Sequence, residues 1–434
     1  MKQYDSYKES GVEWIGKVPS HWEIMPLKFT GTFGNGLTYS PKDVVDNGIL
    51  VLRSSNIQNS SLSFEDNVYV SNVSKVLLVQ KGDVIICSRN GSAALVGKSA
   101  FIDKDINATF GAFMMRYIPK INKKYGFYLF QTAIGRYKGY FATTTINQLT
   151  KSTIGEMKVP LANTEEQTAI VDFLDNKCSE IDKVISAQQK RIALLQELKQ
   201  SVITHVVTKG LNPNVEMKDS GVEWIGKVPK HWEICKLKHV SSLYGRIGFR
   251  GYNQTDLVSE GEGAITLSPS NMQNETMDYN KCSFLSWKKY YESPEIMIKD
   301  GDILFVKTGS TYGKTSLVNK LPMEATINPQ IVVFKDIKVN NHFLYYLLTN
   351  DIVQMQVSLT VGGSTIPTLS QDNILKYVIP IAPKNEQDEI ANYLDKKCKS
   401  IDSSISKAQH QVELLQEYKQ SLITEVVTGK RKVS

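Results

Sequence analysis

A twenty-residue segment occurs twice in this chain, at a constant offset of 210 residues. Residues 9–28 read ESGVEWIGKVPSHWEIMPLK and residues 219–238 read DSGVEWIGKVPKHWEICKLK, with sixteen identical positions. A second segment, residues 166–209, matches residues 386–429 at 24 of 44 positions. Self-similarity of this kind marks a structural unit that is used twice, and its period is far longer than that of a solenoid. The sequence therefore predicts two copies of one module.

The repeated segments bound two regions that differ in sequence. We assign an arm, a variable domain and a helical spacer to each copy, at residues 1–28, 29–162 and 163–210, and again at 211–238, 239–382 and 383–434. A chain of 434 residues, 41% of them hydrophobic, has room for a separate core in each domain. The N-terminal residues lack the apolar segment of a signal peptide and no apolar run is long enough to cross a bilayer, so we expect a cytoplasmic protein.

The arms contain four of the five tryptophans, namely Trp14, Trp22, Trp224 and Trp232. Because each lies in a mixed apolar context, we expect the rings to pack an arm against a domain; stacking on nucleic-acid bases is the alternative. His21 and His231 each precede a tryptophan, with no second histidine at a metal-binding spacing. Packing or hydrogen bonding is the expected role of both histidines.

The variable domains combine strand and helix patterns in a similar order. Apolar, β-branched runs predict strands at Ile49–Leu52, Val68–Val70, Val84–Cys87 and Ala112–Ile118, and in the second copy at Ala264–Leu267, Ile303–Val306 and Gln330–Phe334. A helix is predicted at Tyr125–Tyr140 and at His342–Gln356, each followed by a polar loop, Thr143–Thr145 and Gly362–Thr365. The two domains thus share one skeleton but have diverged, whereas the arms and spacers have stayed alike.

Each spacer carries an apolar stripe with the spacing of an amphipathic helix. In the first spacer, Thr164 and Gln167 resemble a capping box; a first helix is predicted to end near Lys177, and a longer one follows. The stripes comprise Ile181, Ile185, Ile192, Leu195, Leu198, Val202 and Val206, and Ile401, Ile405, Val412, Leu415, Tyr418, Leu422 and Val426. Each stripe needs a partner, and its twin is the obvious one, in a long antiparallel or coiled-coil-like pair.

These patterns predict an α+β protein with two globular mixed α/β domains separated by two long antiparallel, coiled-coil-like helices, in a pseudo-twofold internal repeat. The first arm is predicted to pack near the end of the second long helix. The 27 residues from Ile181 to Val207 would span about 40 Å, close to one turn of B-DNA at about 34–36 Å.

The net charge of +7 is distributed unevenly. Residues 29–162 hold 15 Lys and Arg against 8 Asp and Glu, whereas residues 239–382 hold 12 against 13. The excess positive charge therefore lies in the first domain, where it suits a polyanionic partner. The second domain would need a local basic loop for the same role.

Two glycine-rich loops resemble phosphate-binding loops but have the wrong spacing. Three residues separate Gly309 from Gly313 before Lys314, and five separate Gly91 from Gly97 before Lys98, where four are required. Both loops follow a Gly-Asp pair and a predicted strand, so a plain hairpin loop and a nucleic-acid contact are the two interpretations left open. The candidate DNA-binding residues are small, polar or basic loop residues: Arg53, Arg89, Asn90, Ser92, Lys98, Thr144, Thr145, Arg246, Arg250, Lys307, Thr308, Ser310, Lys314, Ser364 and Thr365.

Sequence signatures of catalysis and metal binding are missing. The five cysteines form no Cys-x-x-Cys pair, so neither a disulfide framework nor a zinc site is expected. We find no Ser/His/Asp arrangement and no Asn-Pro-Pro-aromatic tetrapeptide of a methyltransferase. No catalytic residue, bound metal or cofactor is expected in this chain.

The whole pattern resembles the specificity subunit of type I restriction–modification systems. The resemblance rests on the Gly-Val-Glu-Trp-Ile-Gly-x-Val-Pro-x-His-Trp-Glu arm, the Glu-Gln helix starts at 166–167 and 386–387, and the Leu-Leu-Gln-Glu-x-Lys-Gln-Ser helices. It covers nearly the whole chain, and arm, variable domain and helix recur in the same order twice.

The resemblance implies that each variable domain is a target recognition domain that reads half of a split duplex DNA sequence. It also implies that the helices dock two modification subunits, which bind S-adenosylmethionine and methylate adenine. Restriction subunits would add ATP- and magnesium-dependent translocation and cleavage. The alternatives are an NTPase that uses the Gly-Lys-Thr loop and a protein scaffold without a DNA role.

Overall fold

The computed structural model describes residues 3–141, 148–273, 276–361 and 368–433. The chain forms two compact units: unit 1 is Met1–Gln189 with His410–Ser434, and unit 2 is Lys190–Gln409. Each unit contains strands, short helices and parts of two long helices, so the predicted α+β class and internal duplication are confirmed. Within the described ranges, no helix is both long and apolar enough to cross a membrane.

Unit 1 is built on two four-stranded sheets. Its elements are β1 (Tyr7–Glu9), β2 (Lys17–Pro19), β3 (Glu23–Pro26), β4 (Gly31–Asn35), β5 (Val44–Val45), β6 (Ile49–Leu52), β7 (Ile57–Gln58), β8 (Ser61–Leu62), β9 (Tyr69–Val70), β10 (Val84–Cys87), β11 (Ser99–Phe101), β12 (Ala108–Phe110), β13 (Met114–Pro119), α1 (Lys123–Phe141), α2 (Lys151–Gly155), β14 (Lys158–Leu161) and the first part of the long helix α3 (Thr164–Lys209), which continues into unit 2. One sheet has the antiparallel order β11-β10-β13-β4, and the other has the order β12-β6-β9-β5 with β12 parallel to β6. Helix α1 covers the first sheet through Phe130 and its neighbours, which lie in one core with Val84 and Tyr117.

Unit 2 repeats this topology. Its elements are β15 (Met217–Asp219), β16 (Lys227–Pro229), β17 (Glu233–Lys236), β18 (Ser242–Gly245), β19 (Leu257–Val258), β20 (Gly263–Leu267), β21 (Met272–Gln273), β22 (Thr276–Met277), β23 (Ser283–Ser286), α4 (Trp287–Tyr291), β24 (Ile303–Val306), β25 (Thr315–Leu317), β26 (Ala325–Ile327), β27 (Ile331–Lys335), α5 (Asn341–Thr349), α6 (Asp351–Val361), α7 (Gln371–Ile374), β28 (Val378–Ile381) and the first part of the long helix α8 (Lys384–Val427), which continues into unit 1. The sheet orders β18-β27-β24-β25 and β19-β23-β20-β26 match those of unit 1 strand for strand. The β20–β26 pair is parallel, as its counterpart is.

The predicted strands are found within one or two residues of their expected bounds, but one predicted helix is two. The segment His342–Gln356 is interrupted between α5 and α6 because Asn350 is extended, with φ −77° and ψ 151°. Its side-chain oxygen accepts a hydrogen bond from the backbone N–H of Ile352 at 2.6 Å, which starts a second helix. The predicted loops Thr143–Thr145 and Gly362–Thr365 lie outside the described residues.

Each arm is held to the start of a long helix by a contact that we call the arm–helix contact. In unit 1, Glu166 accepts hydrogen bonds from the indole of Trp22 and from His21, both at 2.9 Å. In unit 2, Glu386 accepts them from Trp232 at 3.0 Å and His231 at 2.7 Å. Both indoles are fully buried, which confirms that these tryptophans pack the arms.

Of the other two arm tryptophans, Trp14 packs against the unit 1 core and Trp224 is 38% exposed. The first arm also meets the end of α8, as predicted, because Trp22 shares a core with Val426 and Val427.

The prediction of a break near Lys177 is wrong, because α3 is continuous over 46 residues. Its buried stripe continues through the expected boundary, by way of Ile170, Leu174, Cys178, Ile181 and Ile185, and no Gly or Pro interrupts it. The cap also differs. Asn163, rather than Thr164, accepts a hydrogen bond from the backbone N–H of Glu166, at 2.9 Å.

The long helices pair in antiparallel fashion within each unit, as predicted. In unit 1, Lys419 near the end of α8 lies 2.6 Å from Asp182 in the first half of α3. In unit 2, Lys199 in the second half of α3 lies 3.0 Å from Asp402 in the first half of α8. The early residues of one helix therefore meet the late residues of the other.

Candidate nucleic-acid interface

The glycine-rich loops connect antiparallel strands. The first joins β10 to β11 and the second joins β24 to β25. A phosphate-binding loop of an NTPase leads from a strand into a helix, whose N-terminal N–H groups hold the phosphates. A strand–loop–strand arrangement does not supply that helix, so the NTPase alternative is not supported. Both loops are therefore hairpin connections, and their contact with nucleic acid stays a prediction.

A cleft of about 1390 Å³ opens in unit 1 beside the first of these loops. It brings together three of the predicted residues, Arg53, Arg89 and Asn90. Its remaining lining includes Tyr39, Phe113 and the small residues Gly91, Gly111 and Ala112. The small residues in this lining leave room for a large partner to approach the backbone closely.

The rim that carries Arg53 is shaped by the buried side chain of Asn56. Its amide oxygen accepts from the backbone N–H of Arg53 at 2.9 Å, and its amide nitrogen donates to the carbonyls of Ser63 and Asp66 at 3.1 and 3.0 Å. These bonds fix the turn that presents Ser54 and Ser55 to the cleft. The sequence prediction missed Asn56 as a positioning residue.

The two cleft arginines differ in their surroundings. Arg53 lies 2.7 Å from the carboxylate of Asp66 and also donates to its carbonyl. The exposed Arg89 instead lies over the ring of Phe113, with its guanidinium carbon 5.4 Å from the ring centroid. Phe113 is 61% exposed, so this cation–π pair faces solvent.

Unit 2 has a smaller cleft, of about 450 Å³, at the equivalent place in the repeat. It gathers Thr308, Ser310 and Lys314 from the predicted set, together with Ser268, Ser270 and Gln330.

Asn271 fixes the rim of this second cleft as Asn56 fixes that of the first. It accepts from the backbone N–H of Ser268 at 2.9 Å and donates to the carbonyls of Asp278 and Lys281, both at 3.1 Å. The repeated Asn-Ile-Gln and Asn-Met-Gln triplets, at residues 56–58 and 271–273, were the sequence signal for both asparagines.

Other predicted residues lie elsewhere. Arg246 is 5% exposed and donates to the Ile327 carbonyl at 3.2 Å and to the Thr326 hydroxyl at 3.0 Å. Burial lowers the pKa of Arg246, and its guanidinium serves the interior of unit 2 rather than its surface.

Arg250 is half-buried and lies 3.4 Å from Glu295. Ser92, Lys98 and Lys307 belong to the hairpin segments but not to the lining of either cleft. Thr144, Thr145, Ser364 and Thr365 are outside the described residues.

The predicted helix stripe is only partly buried. Ile181, Ile185 and Leu422 are buried in the unit 1 core, and Val412 and Leu415 pack against it. In unit 2, Ile401 is buried and Val202 packs against the core, whereas Ile192, Leu195 and Ile405 are half-buried. Leu198 and Tyr418, which the stripe also included, are 46% and 53% exposed. The described residues contain no group of three or more His, Cys, Asp or Glu that could hold a metal ion.

Comparison with known proteins finds a matching family model and several similar proteins. The family model for the type I restriction modification DNA specificity domain matches residues 19–194 and again residues 229–414. The MjaVIII type I restriction enzyme specificity subunit of Methanocaldococcus jannaschii is 24% identical, over 84% of this chain and 83% of that protein. The EcoKI specificity subunit of Escherichia coli is 24% identical, over 73% of this chain and 68% of that protein.

A solved chain of a type I R-M system, described for complex assembly and conformational transition, has a TM-score of 0.69. It is 14% identical and aligns over 94% of this chain and 98% of its own length. At that identity the likeness shows a shared fold.

Proposed function

The chain belongs to the type I restriction–modification DNA specificity family, and we propose that it is the non-catalytic subunit in which each unit reads one half of a bipartite duplex sequence. One observation carries this proposal. The two units share their strand order and their arm–helix contact, yet line their clefts with different side chains. A duplicated scaffold with unlike clefts suits a reader of two unlike half-sites.

The proposal includes partners, because the chain lacks recognisable catalytic motifs. Two modification subunits would bind S-adenosylmethionine and methylate adenine, and restriction subunits would use ATP and magnesium. The domain at 239–382 carries one more acidic than basic residue, so neighbouring subunits would supply part of the phosphate binding in that half. Affinity of the isolated chain for DNA would then be weak and would fall with added salt. A cytoplasmic location follows from this role.

The long helices are proposed to set the gap between the half-sites. A continuous helix of 46 residues is about 69 Å long and is stiff enough to act as a spacer. Insertions between Ile181 and Val207 should change the number of unspecified bases and leave both half-sites unaltered. Sequencing of methylated adenines measures both quantities at once.

Exchange of one domain tests the central claim. Residues 239–382 are replaced by the corresponding domain of another specificity subunit, and methylated adenines are mapped in cells that carry the modification subunits. One half-site should change and the other should remain. A change in both halves, or in neither, would show that the units do not read independently.

The scaffold and NTPase alternatives make different predictions. A scaffold without a DNA role would retain methylation specificity after both domains are replaced. An NTPase would hydrolyse nucleotide as the purified chain and lose that activity in a Lys314→Ala variant. Absence of turnover in the unaltered chain removes this alternative.

A further inference from the structure

We propose that Arg89 reads a guanine base in the half-site bound by unit 1, an inference that rests on the proposed function. Among the described lining residues of the unit 1 cleft, Arg53 and Arg89 are the cations. Arg53 is neutralised by Asp66 at 2.7 Å. The described residues include no carboxylate in an ion pair with Arg89, and its side chain is exposed. Arg89 is therefore the cationic group that this cleft offers to a partner.

The position of Phe113 favours a base edge over a phosphate as that partner. The carbonyl of Phe113 accepts hydrogen bonds from the backbone N–H groups of Ser88 and Arg89, at 3.0 and 3.1 Å. These bonds fix the backbone of Phe113 beside that of Arg89. The guanidinium then lies 5.4 Å from the ring centroid, which restricts its orientation. A bidentate contact with the N7 and O6 atoms of guanine requires an oriented guanidinium, whereas a phosphate accepts a cation from many directions.

Both ends of the side-chain amide of the neighbouring Asn90 already form hydrogen bonds within the protein. Its amide nitrogen donates to the Ser54 hydroxyl at 3.2 Å, and its amide oxygen accepts from the backbone N–H of Ser92 at 3.0 Å. An asparagine that reads adenine needs both ends of its amide for the base. Asn90 is therefore a positioning residue, which ties the hairpin loop to the rim turn and holds Arg89 at the cleft.

Among the described residues that line the equivalent cleft of unit 2, none is an arginine. Thr308 forms an isolated antiparallel β-bridge with Thr368, and Arg89 forms one with Gln148. Thr308 therefore occupies the position of Arg89 in the repeat. The carbonyl of Gln330 accepts a hydrogen bond from the backbone N–H of Lys307 at 2.8 Å, as the carbonyl of Phe113 does from that of Ser88. Gln330 therefore occupies the position of Phe113. Threonine and glutamine thus replace the arginine and the aromatic ring, so this guanine contact belongs to the half-site of unit 1 alone.

The test uses the chain in complex with its modification subunits and a DNA library randomised at both half-sites. The half-site of unit 1 is the one that stays unchanged when residues 239–382 are exchanged. Arg89→Ala should lower the preference for guanine at one position of that half-site by about tenfold or more, without altering the other half. Arg89→Lys should weaken the preference too, because an ammonium lacks the planar pair of N–H donors that fits the N7 and O6 atoms and that stacks on Phe113. Lys75→Ala, which removes an exposed charge away from the cleft, should leave specificity unchanged.

Three results would overturn the assignment in distinguishable ways. If Arg89→Ala weakens methylation of all sequences equally, reduces the salt dependence by about one charge and is rescued by Arg89→Lys, then Arg89 binds phosphate. If the unaltered complex requires no guanine in the half-site of unit 1, the inference fails while half-site reading stands. If the unaltered complex has no sequence preference at all, the proposed function fails with it.

Discussion

Units 1 and 2 share the contacts that stabilise their scaffolds, but the side chains that line their solvent-exposed clefts differ. Glu166 and Glu386 accept from an indole and an imidazole with nearly the same distances. At the clefts, by contrast, Arg89 over an aromatic ring in one unit corresponds to Thr308 beside an amide in the other. The residues that set the scaffold thus stayed the same after duplication, and those that line the clefts did not.

The difference follows from what each set of residues must do. The arm–helix contact joins two separate parts of the chain at one carboxylate, and loss of that carboxylate leaves the N–H of a buried indole unsatisfied. Each start of a long helix is fixed in the same way. Gln167 accepts from the backbone of Asn122 at 3.0 Å, and Gln387 accepts from that of Asn340 at 2.8 Å. Cleft residues face solvent, so substitution there costs little stability and alters what is bound.

The largest expected effect is the loss of stability when the buried arm tryptophan of either unit is removed. Comparing the two losses tests whether the arm–helix contact is equally important in both units. Trp22→Ala and Trp232→Ala each remove a fully buried indole, which should cost about 3–5 kcal/mol of local stability. Hydrogen exchange followed by mass spectrometry should show lost protection in the unit that carries the substitution.

Trp224→Ala is the matched control, because it removes the same side chain from a site that is 38% exposed. It should cost less than about 1 kcal/mol. Equal losses from Trp232→Ala and Trp224→Ala would show that burial of the arm is not what holds unit 2 together.

The scaffold was largely predictable from sequence because its signals are periodic and repeated. Strands such as Ile303–Val306 follow from apolar runs, and the paired helices follow from the stripes that begin at Ile181 and Ile401. The error at Lys177 arose because local sequence does not reveal that Cys178 lies on the buried face and continues the stripe.

The clefts were less predictable because composition does not show which arginines point inwards. Arg246 and Arg89 are both loop or strand-end arginines in the sequence. Only the fold buries Arg246 against the Ile327 carbonyl and leaves Arg89 at the surface. Which residues face each other across a cleft depends on strand pairing, as with Arg89 and Phe113, whose positions are 24 residues apart.

A smaller effect should distinguish the ends of the two long helices. Gly210 and Gly429 both follow a long helix with positive φ, 75° and 72°. An added Cβ at Gly210 would lie 3.3 Å from the Trp232 ring, whereas at Gly429 it would overlap the Pro19 ring. Gly210→Ala should therefore cost about 1–2 kcal/mol, mainly through backbone conformation.

Gly429→Ala should cost more, and the excess should appear as lost exchange protection in the first arm. Equal costs at the two glycines would show that Pro19 moves aside freely. The contact between the first arm and the end of α8 would then be weaker than its packing indicates.

The smallest effect is a pH dependence expected in unit 2 alone. In unit 1, Lys124 of α1 lies 2.7 Å from Asp175 of α3. In unit 2, His342 of α5 takes that place, 2.9 Å from Asp395 of α8, which also accepts from the Tyr346 hydroxyl at 2.8 Å. The hydrogen bond to Asp395 raises the pKa of His342 above its ordinary value of 6.5.

A raised pKa means that the folded state binds the proton more tightly than the unfolded state. The stabilisation from His342 is therefore complete below about pH 6.5 and is lost as the pH rises through the higher folded value. The side chain is 48% exposed, so solvent screening limits the effect to a few tenths of a kcal/mol. Exchange protection of α5, corrected for intrinsic rates, should fall between pH 6 and pH 8 by about that amount.

Exchanging the two cations between the units decides whether this residue is the cause. His342→Lys should remove the pH dependence from α5, because lysine side chains titrate well above neutrality. Lys124→His should introduce the same dependence into α1 of unit 1. A pH dependence that persists in His342→Lys would assign the titration to another group. The two units would then differ in more than the cation that pairs with Asp175 in unit 1 and with Asp395 in unit 2.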